Sequence, residues 1–195
     1  ARRAPKQSDF KVTNNFTGYE YDKTAKTVTV TPSSLIKAND LGKITVVYKR
    51  YGDDVDVPID AGWYDVYVTV DDSGANITAG SLIRVLGYTI YKKTPAVSDM
   101  TVKLNGETPR TEYPYTGKTV TATVTSKDEG AFNVTAVSYY KKDSEGNYVL
   151  INEEPANAGS YKVKVNTAEG TNYFAATDVE VATFEIKKAD PKIKF

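Results

Sequence analysis

Along this chain, apolar residues recur with a period of two far more often than with the period of a helix. Thr27-Val28-Thr29-Val30-Thr31 sets valine on one side and threonine on the other, the alternation of a strand buried on one face. From Trp63 onward, Tyr64, Val66, Val68 and Val70 form an apolar side, and Trp63, Asp65, Tyr67 and Thr69 a polar one. Tyr161-Lys162-Val163-Lys164-Val165 does the same with lysine outward. Further β-branched and aromatic runs occupy 44–48, 82–91, 134–140 and 179–187. The segments between them carry turn chemistry: Asp71-Asp72-Ser73-Gly74, Asn105-Gly106, Glu145-Gly146-Asn147 and Glu169-Gly170. Only Ser33 to Leu41, after Pro32, resembles a helix. It reads either as a short helix or as an irregular crossover. Short strands broken by turns roughly every 8–12 residues predict an all-β fold of the β-sandwich kind.

The pattern occurs twice. Ser8-Asp9-Phe10-Lys11-Val12 returns as Ser98-Asp99-Met100-Thr101-Val102, an offset of 90. Tyr21 and Lys26-Thr27-Val28-Thr29 return as Tyr115 and Lys118-Thr119-Val120-Thr121. Pro58-Ile59-Asp60-Ala61-Gly62-Trp63-Tyr64 matches Pro155-Ala156-Asn157-Ala158-Gly159-Ser160-Tyr161 at 97, and Tyr88-Thr89-Ile90 matches Phe184-Glu185-Ile186 at 96. A longer loop around Lys141 to Asn152 accounts for the drift in offset. In the proline block, Pro58 or Pro155 ends a strand by withholding a ladder donor, and Gly62 or Gly159 opens the next at a corner. The tyrosine that follows, Tyr64 or Tyr161, faces the apolar side, where its hydroxyl can reach nearby backbone in the manner of a tyrosine corner.

Arg2-Arg3-Ala4-Pro5, Lys92-Lys93-Thr94-Pro95 and Lys187-Lys188-Ala189-Asp190-Pro191 read as three copies of one boundary. They define modules at 1–95 and 96–195, with 191–195 beginning a boundary to a further repeat. Lys192-Ile193-Lys194-Phe195 is expected to open that next strand, and the natural chain to continue in both directions. The short, proline-containing junction leaves little rotational freedom, so the modules are expected end to end as a semi-rigid rod.

The order Ala-Gly-x-Tyr-x-Val-x-Val, Asn172-Tyr173-Phe174-Ala175-Ala176, then Phe184-Glu185-Ile186-Lys187-Lys188-Ala189-Asp190-Pro191 resembles the MBG/YDG-type repeats of bacterial cell-surface proteins. The second module matches almost throughout. The first is more diverged, with Asn76-Ile77-Thr78-Ala79 in place of the Asn-Tyr segment and Trp63 in place of Ser160. The resemblance implies two tandem Ig-like β-sandwich modules from a stalk or adhesin, secreted or held at the bacterial surface. It brings no catalytic residues.

Composition narrows the chemistry. With Lys+Arg 25 against Asp+Glu 25 and no long run of either sign, the chain lacks the basic face a nucleic-acid ligand requires. No His and no Cys are present, which removes zinc-finger ligation, thiolate catalysis and a Ser-His-Asp triad. No apolar run approaches the ~18–20 residues of a membrane helix. A monomer without catalytic, metal or cofactor sites is expected. Glycoside hydrolysis would need two carboxylates across an apolar cleft, and an intramolecular Lys–Asn isopeptide bond would need a buried Lys, Asn and acid; the sequence points to neither. The acidic clusters at 53–56 and 71–74 offer oxygens to calcium, although solvated turns explain them as well. Tyrosine is frequent, at 15 residues against 6 Phe and one Trp. Several sit on apolar faces, but Trp63 and Tyr67 share a polar one. They form the candidate platform for a glycan or a host or cell-surface protein, the alternative to a structural spacer.

Overall fold

The computed structural model describes residues 1–189, so Lys192–Phe195 lie outside it. Among the described residues the chain is all-β, with only two single 3-10 turns, Gln7–Asp9 and Val97–Asp99. Among these residues no helix is long and apolar enough to cross a membrane. The chain divides into two compact units, Ala1–Lys93 and Thr94–Phe195.

Unit 1 begins with a two-stranded antiparallel sheet, β1 (Phe10–Asn14) on β2 (Val28–Pro32). β3 (Ile44–Arg50), β4 (Asp53–Val55), β5 (Gly62–Val70) and β6 (Gly80–Ile90) form a second sheet in the order β4-β3-β5-β6. The alternation on β5 is realised in full: Tyr64, Val66, Val68 and Val70 are buried, and Trp63 and Tyr67 turn outward. Phe10 and Val28 of the small sheet share one core with Tyr48, Tyr64, Val66, Val85 and Tyr88 of the large one. The two sheets are joined face to face by apolar burial, with no shared strand.

Two hydroxyls of the larger sheet reach across that core. Tyr48 accepts the Val28 backbone N–H at 2.8 Å, and Tyr88 donates to the Lys26 carbonyl at 2.6 Å. A third hydroxyl, Tyr64, donates to the Asp60 carbonyl four residues earlier at 2.8 Å, the tyrosine corner expected from the sequence. Gly62, at φ +152°, opens β5 where a Cβ would lie 2.7 Å from Arg50 Nε and 2.9 Å from the Tyr51 ring.

Residues 33–41 form turns and bends, not a helix. Ile36 N–H bonds Ser33 O and Asp40 N–H bonds Lys37 O, after which Asn39 stands at φ +70° between the ends of the second turn. Leu35 is 84% exposed, so a helix here would gain nothing by burying an apolar stripe. The carbonyl of Asp40 instead receives the N–H groups of Asn76 and Ile77. The opening Arg2–Pro5 segment is also built into the unit. Arg3 runs parallel to Ile77, its guanidinium grips Asp9 through two bonds of 2.7 Å, and Arg2 pairs with Asp72 at 2.8 Å.

Unit 2 pairs β7 (Met100–Leu104) with β9 (Ala122–Ser126). Its larger sheet contains β8 (Glu112–Pro114), β10 (Val134–Lys142), β11 (Tyr148–Ile151), β12 (Gly159–Thr167) and β13 (Ala176–Lys187), in the order β11-β10-β12-β13-β8. β8 runs parallel to β13 at the edge; in unit 1 a single parallel bridge, Glu20 to Tyr91, holds the same place. The internal bonds coincide too. Tyr139 accepts the Ala122 N–H at 2.8 Å, Tyr161 donates to Asn157 O at 2.7 Å, and Gly159 again has φ +152°. Tyr161 stacks on Phe184 as Tyr64 stacks on Tyr88. The last strand of each unit carries one non-glycine residue at positive φ, Leu82 at +51° and Asp178 at +55°.

These correspondences correct the alignment drawn from sequence. Phe10 and Met100 correspond at 90, Val28 and Ala122 at 94, Tyr48 and Tyr139 at 91, Tyr64 and Tyr161 at 97. With Tyr88 and Phe184 at 96, the loop around Lys141 to Asn152 is therefore only one of four length differences. The Lys-Thr-Val-Thr match is out by two residues: Lys26 N–H bonds Pro58 O where Val120 N–H bonds Pro155 O. Lys26 thus occupies the position of Val120, not that of Lys118. A two-residue slip preserves which side chains face inward, so alternation alone does not detect it.

Tyr48→Phe and Tyr139→Phe each leave a buried N–H without its acceptor. Each is expected to cost about 1–3 kcal/mol, read as a lower urea midpoint with an unchanged slope. An unaltered midpoint in both variants would show that the crossing bond contributes nothing.

Candidate functional site

Strand register decides what surrounds Trp63. On the outer face of the larger sheet of unit 1, Trp63 lies opposite Thr89, Asp65 between Lys49 and Gly87, and Tyr67 between Val47 and Arg84. Trp63 is 42% exposed and Tyr67 is half-buried. The indole Nε1 donates to Asp65 Oδ2 at 3.2 Å, and Arg84 Nε donates to Asp65 Oδ1 at 2.7 Å. A Cβ on Gly87 would stand 2.2 Å from Arg84 Nη2 and 2.8 Å from the indole Cζ2. The bare backbone of Gly87 is therefore the floor on which indole and guanidinium meet. Next to this group, Lys49 pairs with Asp54 at 2.7 Å; the bond to Asp54 holds the Lys49 ammonium above its usual range. The two residues singled out from sequence do share this face, and Asp65, Arg84 and Gly87 join them. The last three were missed because only cross-strand register reveals them.

The corresponding face of unit 2 is built differently. Ser160 stands for Trp63, Lys162 for Asp65, Glu180 for Arg84 and Thr183 for Gly87. Lys162 pairs with Glu180 at 2.8 Å and lies 4.7 Å from the Tyr148 ring centre, while Lys164 lies 4.6 Å from that of Tyr140. The hydrogen bond from Lys162 holds the Glu180 carboxyl below the usual range. Each lysine caps one tyrosine face there.

The acidic turn at 71–74 spends its carboxylates internally. Asp71 Oδ1 accepts from the backbone of Lys43 and Ser73 and from the Ser73 hydroxyl, and Asp72 Oδ1 accepts from Arg2 and from Ala79 N–H. These bonds hold both carboxyls below their ordinary range. Such oxygens serve as turn acceptors, and among the described residues no three acidic groups converge as metal ligands would. In unit 2 an open depression of about 600 Å³ between Thr101, Ser126 and Phe132 has one carboxylate on its wall, Glu129, where glycoside hydrolysis uses two.

Sequence reading also missed Lys26. Its side chain is 2% exposed, and its Nζ reaches the half-exposed Asp22 at 2.6 Å and Thr24 Oγ1 at 3.3 Å, 5.8 Å from the Phe16 ring centre. The alkyl stem fills the place Val120 fills in unit 2, and the ammonium escapes toward the rim. The signal was present: Lys26 has the same parity as Val28 and Val30, so the inward face runs two residues further back. Chemically this is a closed ion pair in unit 1, with its polar bonds directed to Asp22 and Thr24.

Comparison with protein-family models, with curated proteins and with solved structures gives no match.

The hydrogen bond from Lys26 lowers the Asp22 carboxyl from 3.8 to about 2. A carboxyl depressed on folding adds stability above its unfolded value and loses it as pH falls through the folded one. Unit 1 should therefore lose melting temperature between about pH 4 and pH 2, and Asp22→Asn should flatten that segment of the curve. Lys26→Met, which keeps the stem and drops the charge, should stay within about 1 kcal/mol of the parent. Lys26→Ala should cost about 2–4 kcal/mol by opening a cavity. Equal losses for Met and Ala would show that the charge, not the stem, is what the site needs.

Proposed function

We propose that this chain is a structural segment of an extracellular bacterial surface protein: two tandem Ig-like repeats of the MBG/YDG type, acting without catalysis as a semi-rigid spacer or stalk. The observation that carries this reading is the recurrence of one skeleton. The crossing tyrosine bond, the tyrosine corner, the φ +152° glycine and the positive-φ residue of the last strand each occur once per unit at corresponding positions. Outer faces diverge while these internal devices persist, as expected of duplicated modules retained for their fold. A monomeric, secreted or surface-held protein fits the balanced charge of 25 against 25 and the stiff proline junction.

A second reading follows from one local difference. Only unit 1 carries the Trp63 group, and an aromatic platform of that kind suits a module that binds a glycan or a host or cell-surface protein directly.

Small-angle scattering of the monomeric chain tests the first reading. The expected result is an extended particle whose maximum dimension approaches twice that of a single unit. A compact profile, with the two units docked side by side, would remove the basis for a spacer.

A further inference from the structure

We propose that the Trp63–Asp65–Arg84 group of unit 1 is a binding site for an uncharged pyranose, with Tyr67 extending it along the strand. The proposal rests on the second functional reading and is independent of the spacer reading.

Three features of the group match a sugar ring. The indole is partly exposed and rests over a glycine, so a broad apolar surface is available for the C–H face of a pyranose. Beside it, Asp65 and Arg84 are already bonded to each other through Oδ1 and Nε. Each keeps further capacity: a carboxylate has about four acceptor sites and a guanidinium five donors. The pair thus presents acceptor and donor side by side, the complement of two neighbouring hydroxyls, and it is fixed in advance by the indole N–H on Asp65 Oδ2. Tyr67 stands four residues along the same strand, ~13 Å away, which suits a chain of sugars better than one ring.

Charge selects among ligands. Asp54 and Asp65 balance Lys49 and Arg84 on this face, so no net field attracts an acidic sugar. Size selects as well. A stable protein partner buries about 800 Å² on each side, and on this face Trp63 and Tyr67 stand amid paired charges. Unit 2 supplies an internal contrast: with Ser160, Lys162, Glu180 and Thr183 at the corresponding places, it keeps an ion pair of reversed order and has no platform.

Trp63 is the sole tryptophan, so its emission reports on the site directly. The intact chain would be titrated with methyl glycosides and linear tetrasaccharides of glucose, galactose and mannose. At least one tetrasaccharide should shift the emission saturably, and more tightly than its methyl glycoside. Asp65→Asn and Arg84→Gln should each weaken binding about tenfold. Gly87→Thr, which installs the residue of unit 2, should abolish the response by displacing the indole and guanidinium, with the melting temperature retained. Amide chemical shifts on β5 and β6 should show no response to the same sugar in Trp63→Ala. If no tetrasaccharide moves the emission at tens of millimolar, or if Gly87→Thr binds as the parent does, the site is not a sugar site. A response confined to proteins added in the same format would likewise overturn it. None of these outcomes bears on the scattering result, so failure here leaves the spacer reading standing.

Discussion

Each unit has to hold a two-stranded sheet against a larger one with no ladder hydrogen bonds between them, and everything else follows from how that is done. A lone pair of strands is marginal in water, so β1–β2 and β7–β9 depend on the core they cover. Covering it buries the N–H at the start of β2 and of β9, which the strand partner does not satisfy. Tyr48 and Tyr139 answer that need from the opposite sheet. The contact asks the phenol only to accept, and burial pushes both hydroxyls above the ordinary tyrosine range. Apolar packing gives the cohesion, and the hydroxyl of Tyr48 or Tyr139 ties the small sheet to the large one.

Lys26 shows how far that framework tolerates substitution. The same buried place takes valine in unit 2 and lysine in unit 1, because a lysine stem is nearly as apolar as a valine and its head can turn toward the rim. The head then needs a partner, and Asp22 lies four residues away on the preceding loop. The core accepts a charge only where the exit is short and an acid waits at it.

Strand alternation made most of the fold legible, since Tyr64 to Val70 and Tyr161 to Val165 leave no ambiguity about which side is buried. The tyrosine corners were legible for the same reason: a proline, a glycine and an inward tyrosine at fixed spacing leave the hydroxyl few other partners. Residues 33–41 stayed undecided because local propensity permits a helix, and it is the contact of Asp40 with Asn76 and Ile77 that excludes one. The alignment around Lys26 failed where identity pulled one way and register the other. Trp63 and Tyr67 could be placed on a face from parity alone. Asp65 and Arg84 could not be joined to them, because their meeting depends on a neighbouring strand and on the missing side chain of Gly87.

The parallel pairing at the end of each unit has a mechanical consequence. The last strand runs alongside Glu112–Pro114 in unit 2, and Tyr91 alongside Glu20 in unit 1, in the same direction as its neighbour. A pull drawn along that strand toward its C-terminal end loads those hydrogen bonds sideways and together, instead of opening them one after another from a free end. The seam resists as a lap joint does, and its strength under tension grows with the overlap. By that measure the three paired residues of unit 2 make a stronger seam than the single bridge of unit 1.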